Sequence, residues 1–324
     1  SQIKKYLLQN AVSQQYNLSL SGGGANNTYY ISSNYTKDIP VFKSNQADNY
    51  FLMTNLENSF LDHRINLRTF INYNYNKSQT NAAAINALGT SLQGLRPYDL
   101  LVDDAGNRIG RPLAFTQSVT DDFENKGYLP WTYNAIDELD YSNTISKENK
   151  INVGISLDAK ITSWLKATLA GSFTKKTGVS NILDELNSYV GRNMVNTATS
   201  IDATGKLIYG IPYGGRLITY NSSADEHNLR AQIDVSKAWE NKVSLNMIAG
   251  SEIRESKSTS YQQTRYGYDE DTNTSKAYNP SVQYTTVQGY PTSLGYSDSQ
   301  INKNINRFLS YYGNVAVGLL NEKY

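Results

Sequence analysis

No cysteine occurs anywhere in this 324-residue chain. That absence removes disulfide frameworks, thiolate zinc sites and thiol nucleophiles together, and it suits an envelope protein that avoids stray oxidation. Histidine is almost missing as well. Only His63 and His227 exist, the first in an expected short turn and the second at a loop-to-strand boundary, so a positioned imidazole base or a His-rich metal site has little material. Both read as exposed histidines. Neither sign of charge dominates: 30 Lys+Arg stand against 29 Asp+Glu, a net charge of +1, and nothing points to a nucleic-acid binder working through phosphate attraction. Mean hydropathy is −0.53, and no apolar run reaches the roughly 18 residues of a transmembrane helix. Any residence in a membrane is therefore as a barrel.

Tyrosine is what the chain has in excess, 26 Tyr against 8 Phe and 3 Trp. Its amphipathic ring suits strands and wet boundaries, at membrane interfaces or at binding surfaces. The length allows two ordinary domains or one large all-β domain. The chain opens SQIKKYLLQN, with neither an initiator Met nor the short apolar segment of a signal peptide, and reads as a processed polypeptide or a piece.

Strict alternation gives the fold class. In RINLRTFINYNYN (Arg64 to Asn76), Ile65, Leu67, Ile71, Tyr73 and Tyr75 alternate with Arg64, Asn66, Arg68, Asn72 and Asn74. Such a strand either covers a core with one face, or meets lipid with its apolar face and a wet interior with the other. Similar segments give nine strand candidates, roughly 15 to 22, 27 to 36, 48 to 60, 64 to 76, 149 to 160, 164 to 175, 227 to 238, 242 to 256 and 306 to 320. Their length is close to the roughly 9 to 11 residues of a tilted membrane-spanning strand. Tight turns are expected at Asp62-His63, Thr162-Ser163 and Glu240-Asn241.

The connections alternate in length: short at 23 to 26, longer at 37 to 47, short at 61 to 63, very long at 77 to 148, short at 161 to 163, long at 176 to 226, short at 239 to 241 and long at 257 to 305. An antiparallel meander puts successive connections on opposite sides, so every short turn falls on one side and every long loop on the other. That is the asymmetry of outer-membrane barrels, with short periplasmic turns and long extracellular loops. Phe60, Trp164 and Trp239 lie beside the short turns, and Tyr35, Tyr50, Tyr73 and Tyr75 lie toward the longer loops, which reads as two interfacial aromatic girdles. Arg64, Arg68, Asp158, Lys160, Arg230 and Asp234 fall in the polar rows, where a wet lumen tolerates charge. The expectation is an all-β, antiparallel transmembrane barrel portion of about nine strands, occupying residues 1–324 as one partial barrel domain.

The case for an enzyme is thin. Asp103-Asp104, Asp121-Asp122 and Asp269 to Asp271 sit among loop residues, where neighbouring acids are ordinary turn chemistry, although a glycosidase pair or a loop Ca²⁺ site could be built from them. SGGGA at Ser21 to Ala25 lacks the Lys-Ser/Thr and the helix of a phosphate loop. Nothing else calls for a cofactor. Short helices are expected at AINAL (Ala84 to Leu88) and at NILDELNSYV (Asn181 to Val190), the second started by Ser180. Substrate contacts are expected from long-loop and lumen residues: Arg96, Tyr98, Trp131, Tyr133, Tyr189, Tyr209, Tyr213 and Arg216, since aromatic rings stack on sugars and Arg reaches hydroxyls and carboxylates. The competing expectation is that these aromatics pack the loops themselves.

Three segments carry a resemblance. NAVSQQYNLSLSGGGANNTYYISSNY (Asn10 to Tyr35), LRPYDLLVDDAGN (Leu95 to Asn107) and NRFLSYYGNVAVGLLNEKY (Asn306 to Tyr324) look like successive pieces of the SusC/RagA-type TonB-dependent transporters of the Bacteroidetes outer membrane. The resemblance implies a monomeric barrel of roughly 22 strands, occluded by an N-terminal plug and opened by TonB. It implies a SusD-like lipoprotein lid over the extracellular loops, oligosaccharide or sometimes peptide cargo, and apolar rows in contact with outer-membrane lipid. This chain departs from that pattern in having no plug, no TonB box and too few strands to close such a barrel, so it reads as an internal stretch of a longer polypeptide. Two other classes remain open: a secreted, soluble β-rich carbohydrate-binding or adhesive module, with its apolar rows buried on one another, and a β-rich glycoside-acting enzyme, with two carboxylates converging in a cleft.

Overall fold

A computed structural model describes residues 2–239, 242–295 and 299–319. Its dominant feature is one antiparallel sheet of nine strands in chain order: β1 (Val12–Gly23), β2 (Asn27–Ile39), β3 (Gln46–Phe60), β4 (Ile65–Thr80), β5 (Ser142–Lys160), β6 (Leu165–Asp184), β7 (Gly215–Trp239), β8 (Val243–Tyr268) and β9 (Ser299–Leu319). Every neighbour in space is the neighbour in sequence, so the sheet is a meander without crossovers. All nine expected strands are present.

The register keeps the two kinds of residue on opposite faces. Leu67 lies opposite Leu157, which lies opposite Leu169, which lies opposite Ala231. One step along, Arg68 lies opposite Ser156, Ser156 opposite Ala170 and Ala170 opposite Arg230. A slip of one residue between any two strands would put apolar side chains into the polar face, so the alternation itself selects the pairing. On the apolar face, Leu18 is 75 %, Val315 61 % and Leu229 52 % exposed. Among the described residues nothing packs over these side chains as the second layer of a sandwich would.

Among the described residues three short turns, 24–26, 61–64 and 161–164, join strands at one end. Connection 61–64 carries three successive left-handed residues, Leu61, Asp62 and His63, with φ of 52, 53 and 63°. Asp and His tolerate this conformation better than most side chains, and Leu61 is the strained member. At 161–164 the hydroxyl of Thr162 accepts from the backbone N–H of Trp164 (3.3 Å) and Leu165 (3.1 Å), which closes the hairpin. The expected turn at Glu240-Asn241 lies outside the described residues.

The other end carries everything else: α1 (Gln2–Tyr6), and the connections 40–45, 81–141, 185–214 and 269–295. These are shorter than the sequence suggests. β5 through β9 run well past the alternating segments, β8 reaching 26 residues, and the connection between β2 and β3 is itself tight. Much of these extensions is polar on both faces, as in Ser256 to Ser260, and pairing on both sides holds them in strand form. For example, Ser222 lies opposite both Gly178 and Ser260.

The buried core lies in the long connections. Leu7, Ala84, Ala87, Leu101, Trp131 and Ala135 form one apolar cluster, with Phe42 and Phe123 packed against it. It joins α1, α2 (Ala83–Leu88), the segment around α3 (Gln117–Asn125) and α4 (Ala135–Tyr141) to α5 (Tyr189–Thr197) through Tyr189. Helix α2 matches the expectation at AINAL. The helix expected over 181 to 190 does not form. Residues Asn181 to Asp184 finish β6, with Ile182 opposite Thr144 on one side and Ile218 on the other. Two ladders outweigh local helix propensity there. Helix α5 starts later, capped by Ser188, whose hydroxyl accepts from the Gly191 N–H at 2.9 Å.

Candidate functional site

The eight residues expected to contact substrate fall into different surroundings. Trp131 is 2 % exposed, ringed by Phe115, Phe123 and Tyr128, with its indole N–H donating to Asn193 Oδ1 at 2.8 Å. It packs the loop assembly, which is the competing reading. Arg216 is held by Asp184, with Nη2 at 2.7 Å, and pins the extended ends of β6 and β7. Tyr209 and Tyr213 meet edge to face at 5.1 Å, and both are substantially exposed. Tyr98 is 96 % exposed and Arg96 is exposed on the same loop, and Tyr98 shares with Tyr133 the lining of a cavity of about 300 Å³.

Tyr133 and Tyr189 are brought together, edge to face at 5.7 Å. They line a cavity of about 620 Å³ between the start of the 81–141 connection, the tips of β4 and β5, and α5. Glu138, Asn86, Gln93 and Asn193 complete its wall. Glu138 is not among the residues that the sequence pattern singles out. A capped helix start was there to be read, since the Asn134 side chain accepts from the Ile136 N–H at 2.8 Å and Asp137 and Glu138 fill the first turn. Its burial, at 6 % exposure, left no trace in the sequence.

The cavity's electrostatics follow from that burial. Desolvation pushes the Glu138 carboxyl up to about 7, against the pull of the Tyr189 N–H that donates to it and of the Arg192 guanidinium. Burial likewise raises the Tyr133 phenol, with the Glu138 charge adding to the effect. The Tyr133 hydroxyl is buried and has no hydrogen-bond partner among the described residues. Arg192, 9 % exposed, fixes the wall by donating to the carbonyls of Pro130 (2.8 Å), Thr132 (2.9 Å) and Asn187. The arrangement offers a ligand an unsatisfied phenol, a carboxyl that titrates near neutrality, side-chain amides and an aromatic wall.

The acidic pairs have structural work. Asp103 accepts from both the backbone and the side-chain amide of Asn107 (2.8 and 2.9 Å), which holds its carboxyl below the usual range. Asp122 pairs with Lys126 at 2.6 Å along α3, and Asp269 accepts from the Thr272 N–H at 3.2 Å.

The polar face of the sheet is a second candidate surface. Asp158 accepts from Arg68 and from the Thr168 hydroxyl (2.7 Å), Lys166 lies 3.6 Å from Asp234, and Arg230 donates to the Tyr312 hydroxyl at 2.7 Å. On the apolar face, Tyr16, Tyr35, Tyr50 and Tyr75 form a continuous row across β1 to β4, with centroids 6.2, 4.6 and 6.0 Å apart. Tyr73 lies next to that row, its hydroxyl 2.8 Å from Asn149 Oδ1. Toward the short turns Phe60 is exposed, and Trp164 and Trp239 flank Lys237, whose ammonium is 4.9 and 5.1 Å from the two rings.

No family model and no curated protein matches the chain. Solved structures do. The RagAB peptide transporter matches with a TM-score of 0.69 at 11 % identity, over 98 % of this chain and 31 % of that one. The RagAB peptide importer in its closed-closed state gives 0.68 at 12 % identity, with the same coverage. The chain therefore spans about a third of the length of the structures it matches. At this identity the likeness is one of fold: the nine-stranded antiparallel meander of this chain is similar to part of those structures.

Proposed function

We propose that this chain is the barrel portion, with its extracellular loops, of a TonB-dependent importer in a bacterial outer membrane, SusC-like, carrying oligosaccharides or peptides and working beneath a SusD-like lipoprotein. The observation that carries the reading is the separation of faces. A meander whose apolar face is open, whose polar face carries paired charges, and whose large connections all lie at one end suits lipid outside, water inside and binding loops above. In water an apolar face this large would associate with itself, which counts against the secreted soluble module.

The stretch from Val243 to Ile253 on the apolar face is of the roughly 9 to 11 residues a tilted strand needs to cross hydrocarbon. Outward charge begins at Glu255. The tyrosine row and the Phe60, Trp164 and Trp239 group are the two interfacial girdles. Tyr133, Tyr189 and Glu138 are the proposed substrate contacts in the loops, with Tyr209 and Tyr213 as a second aromatic surface. The chain moves its cargo without covalent chemistry. In support, Asp103 and Asp269 are engaged in turns and Asp122 along a helix surface.

The reading is tested by disrupting the gene and following uptake of labelled oligosaccharides and peptides. Loss of uptake of one class, matched by loss when TonB is inactivated, is expected. Recovery of the polypeptide in the water-soluble fraction, with uptake unchanged, would overturn it.

A further inference from the structure

We propose that the apolar face ends, toward the loops, in a binding site for the phosphate of an outer-leaflet phosphorylated glycolipid, formed by Lys77 on β4 and Lys147 on β5, with Lys37 two strands from Lys77 across Asp48. The inference rests on the membrane reading above. Immediately beyond the tyrosine row, on the same face, the next row of cross-strand neighbours runs Lys37, Asp48, Lys77, Lys147. Aromatic rows of this kind sit at headgroup height, so these side chains lie where lipid phosphates are.

Lys77 and Lys147 are direct partners in the ladder. Side chains so placed start about 5 Å apart, and like charges there oppose pairing. Elsewhere the sheet meets this problem with an acid: Glu255 stands between Lys257 and Arg307, at 2.5 Å from each, and Glu148 takes Lys176 at 2.8 Å. Among the described residues neither Lys77 nor Lys147 has an ion-pair partner. Asp48, the one carboxylate in the row, accepts from the Tyr35 hydroxyl at 2.7 Å and leaves the row with net positive charge. A phosphate monoester whose anionic oxygens bridge the two ammonium groups turns the repulsion into attraction, and the glycolipid's acyl chains then lie down the apolar face below Tyr75.

The test is native mass spectrometry of the full-length protein in nanodiscs containing phosphorylated or dephosphorylated glycolipid, with the variant Lys77→Gln/Lys147→Gln alongside. The wild type is expected to retain the phosphorylated form preferentially, and the double variant to retain roughly tenfold to thirtyfold less of it, with the heat-modifiable gel shift of a folded barrel unchanged. Equal retention of the two lipids by the wild type overturns the proposal without using a variant. So does unchanged retention by a folded double variant, or displacement of the lipid by millimolar inorganic phosphate, which would mark a free-anion site. A wild-type polypeptide that never enters nanodiscs and stays water-soluble overturns the membrane reading itself, a distinct result.

Discussion

Glu138 should make the loop assembly sensitive to pH, and the sign is fixed by the direction of its shift. Its carboxyl is raised from 4.5 to about 7 in the folded loops. The folded state therefore holds a proton that the unfolded state releases, and protonation favours folding. The contribution is fully present below about 4.5, falls as pH rises toward about 7, and is gone above that. Taking the difference of the two values, 7 − 4.5 = 2.5, at about 1.4 kcal/mol per unit gives on the order of 3 kcal/mol, or about two powers of ten in an opening equilibrium. No discount for solvent applies at 6 % exposure. The groups that set the value are the aromatic surroundings, the Tyr189 N–H and Arg192 pulling down, and Asp184 and Asp137 pushing up. Hydrogen exchange of the amides in α4 and α5, corrected for the intrinsic effect of pH on exchange, reads this directly. Protection should fall by about a hundredfold between pH 4.5 and 8 in the wild type. Glu138→Gln keeps an acceptor for Tyr189 and loses the charge, so its protection should decline far less than the wild type's and exceed it at pH 8. Glu185 is also raised to about 7, by burial and by Glu270, and adds a trend in the same direction; the variant therefore decides. A Glu138→Gln protein with the wild-type decline would refute the reasoning.

Two glycines on the polar face lie under aromatic rings and should differ in their tolerance of alanine. A Cβ at Gly250 would meet the Tyr312 ring at 2.3 Å, and that ring is tied by Arg230 (2.7 Å) and Gln232 (2.9 Å); at Gly154 it would meet Phe70 at 2.2 Å, a ring with no polar tether. Gly250→Ala should lower barrel stability by about 1–3 kcal/mol in urea unfolding from bilayers, and Gly154→Ala by less; the opposite order would contradict the tether. Asp158→Ala should cost about 1–2 kcal/mol in the same assay, most of it from the Thr168 bond and the buried acid's surroundings, because the Arg68 side chain is 55 % exposed and its share is screened. Trp131→Ala should collapse the loop assembly at about 3–5 kcal/mol. Tyr133→Phe should leave exchange protection intact and weaken substrate binding by roughly fivefold to tenfold, so equal effects of the two on folding would remove Tyr133 from the site.

The sheet could be read from the sequence wherever one face is apolar. Val153, Ile155 and Leu157 announce β5, and Leu229, Ala231 and Ile233 announce β7, because a half-apolar strand has a period of two. The outer ends gave no such signal. Residues such as Asn221 to Ser223 and Ser256 to Ser260 are polar on both faces, and only their long-range pairing makes them strands. The same pairing overrode the helical pattern of Asn181 to Asp184. In the loops, Trp131 and Tyr133 are two residues apart and both are buried in one cluster, yet only Tyr133 also lines a cavity. Trp131 is ringed by Phe115 and Phe123 while Tyr133 meets Tyr189 from another connection, and no local pattern encodes those long-range partners. Glu138 is an ordinary helix-start acid by sequence, and its role depends on Tyr189 arriving from another loop.

The central claim, that one face of this sheet meets lipid and the other water, is tested most directly by thiol labelling, since the chain contributes no cysteine background. Single substitutions Ile155→Cys, Leu245→Cys and Val315→Cys report the apolar face; Ser156→Cys, Asn246→Cys and Asn314→Cys report the polar face one residue away. In native outer membranes, a membrane-impermeant maleimide should modify the second set and spare the first. Modification of both sets to the same extent would mean that the apolar face is in water, and the barrel reading would fall.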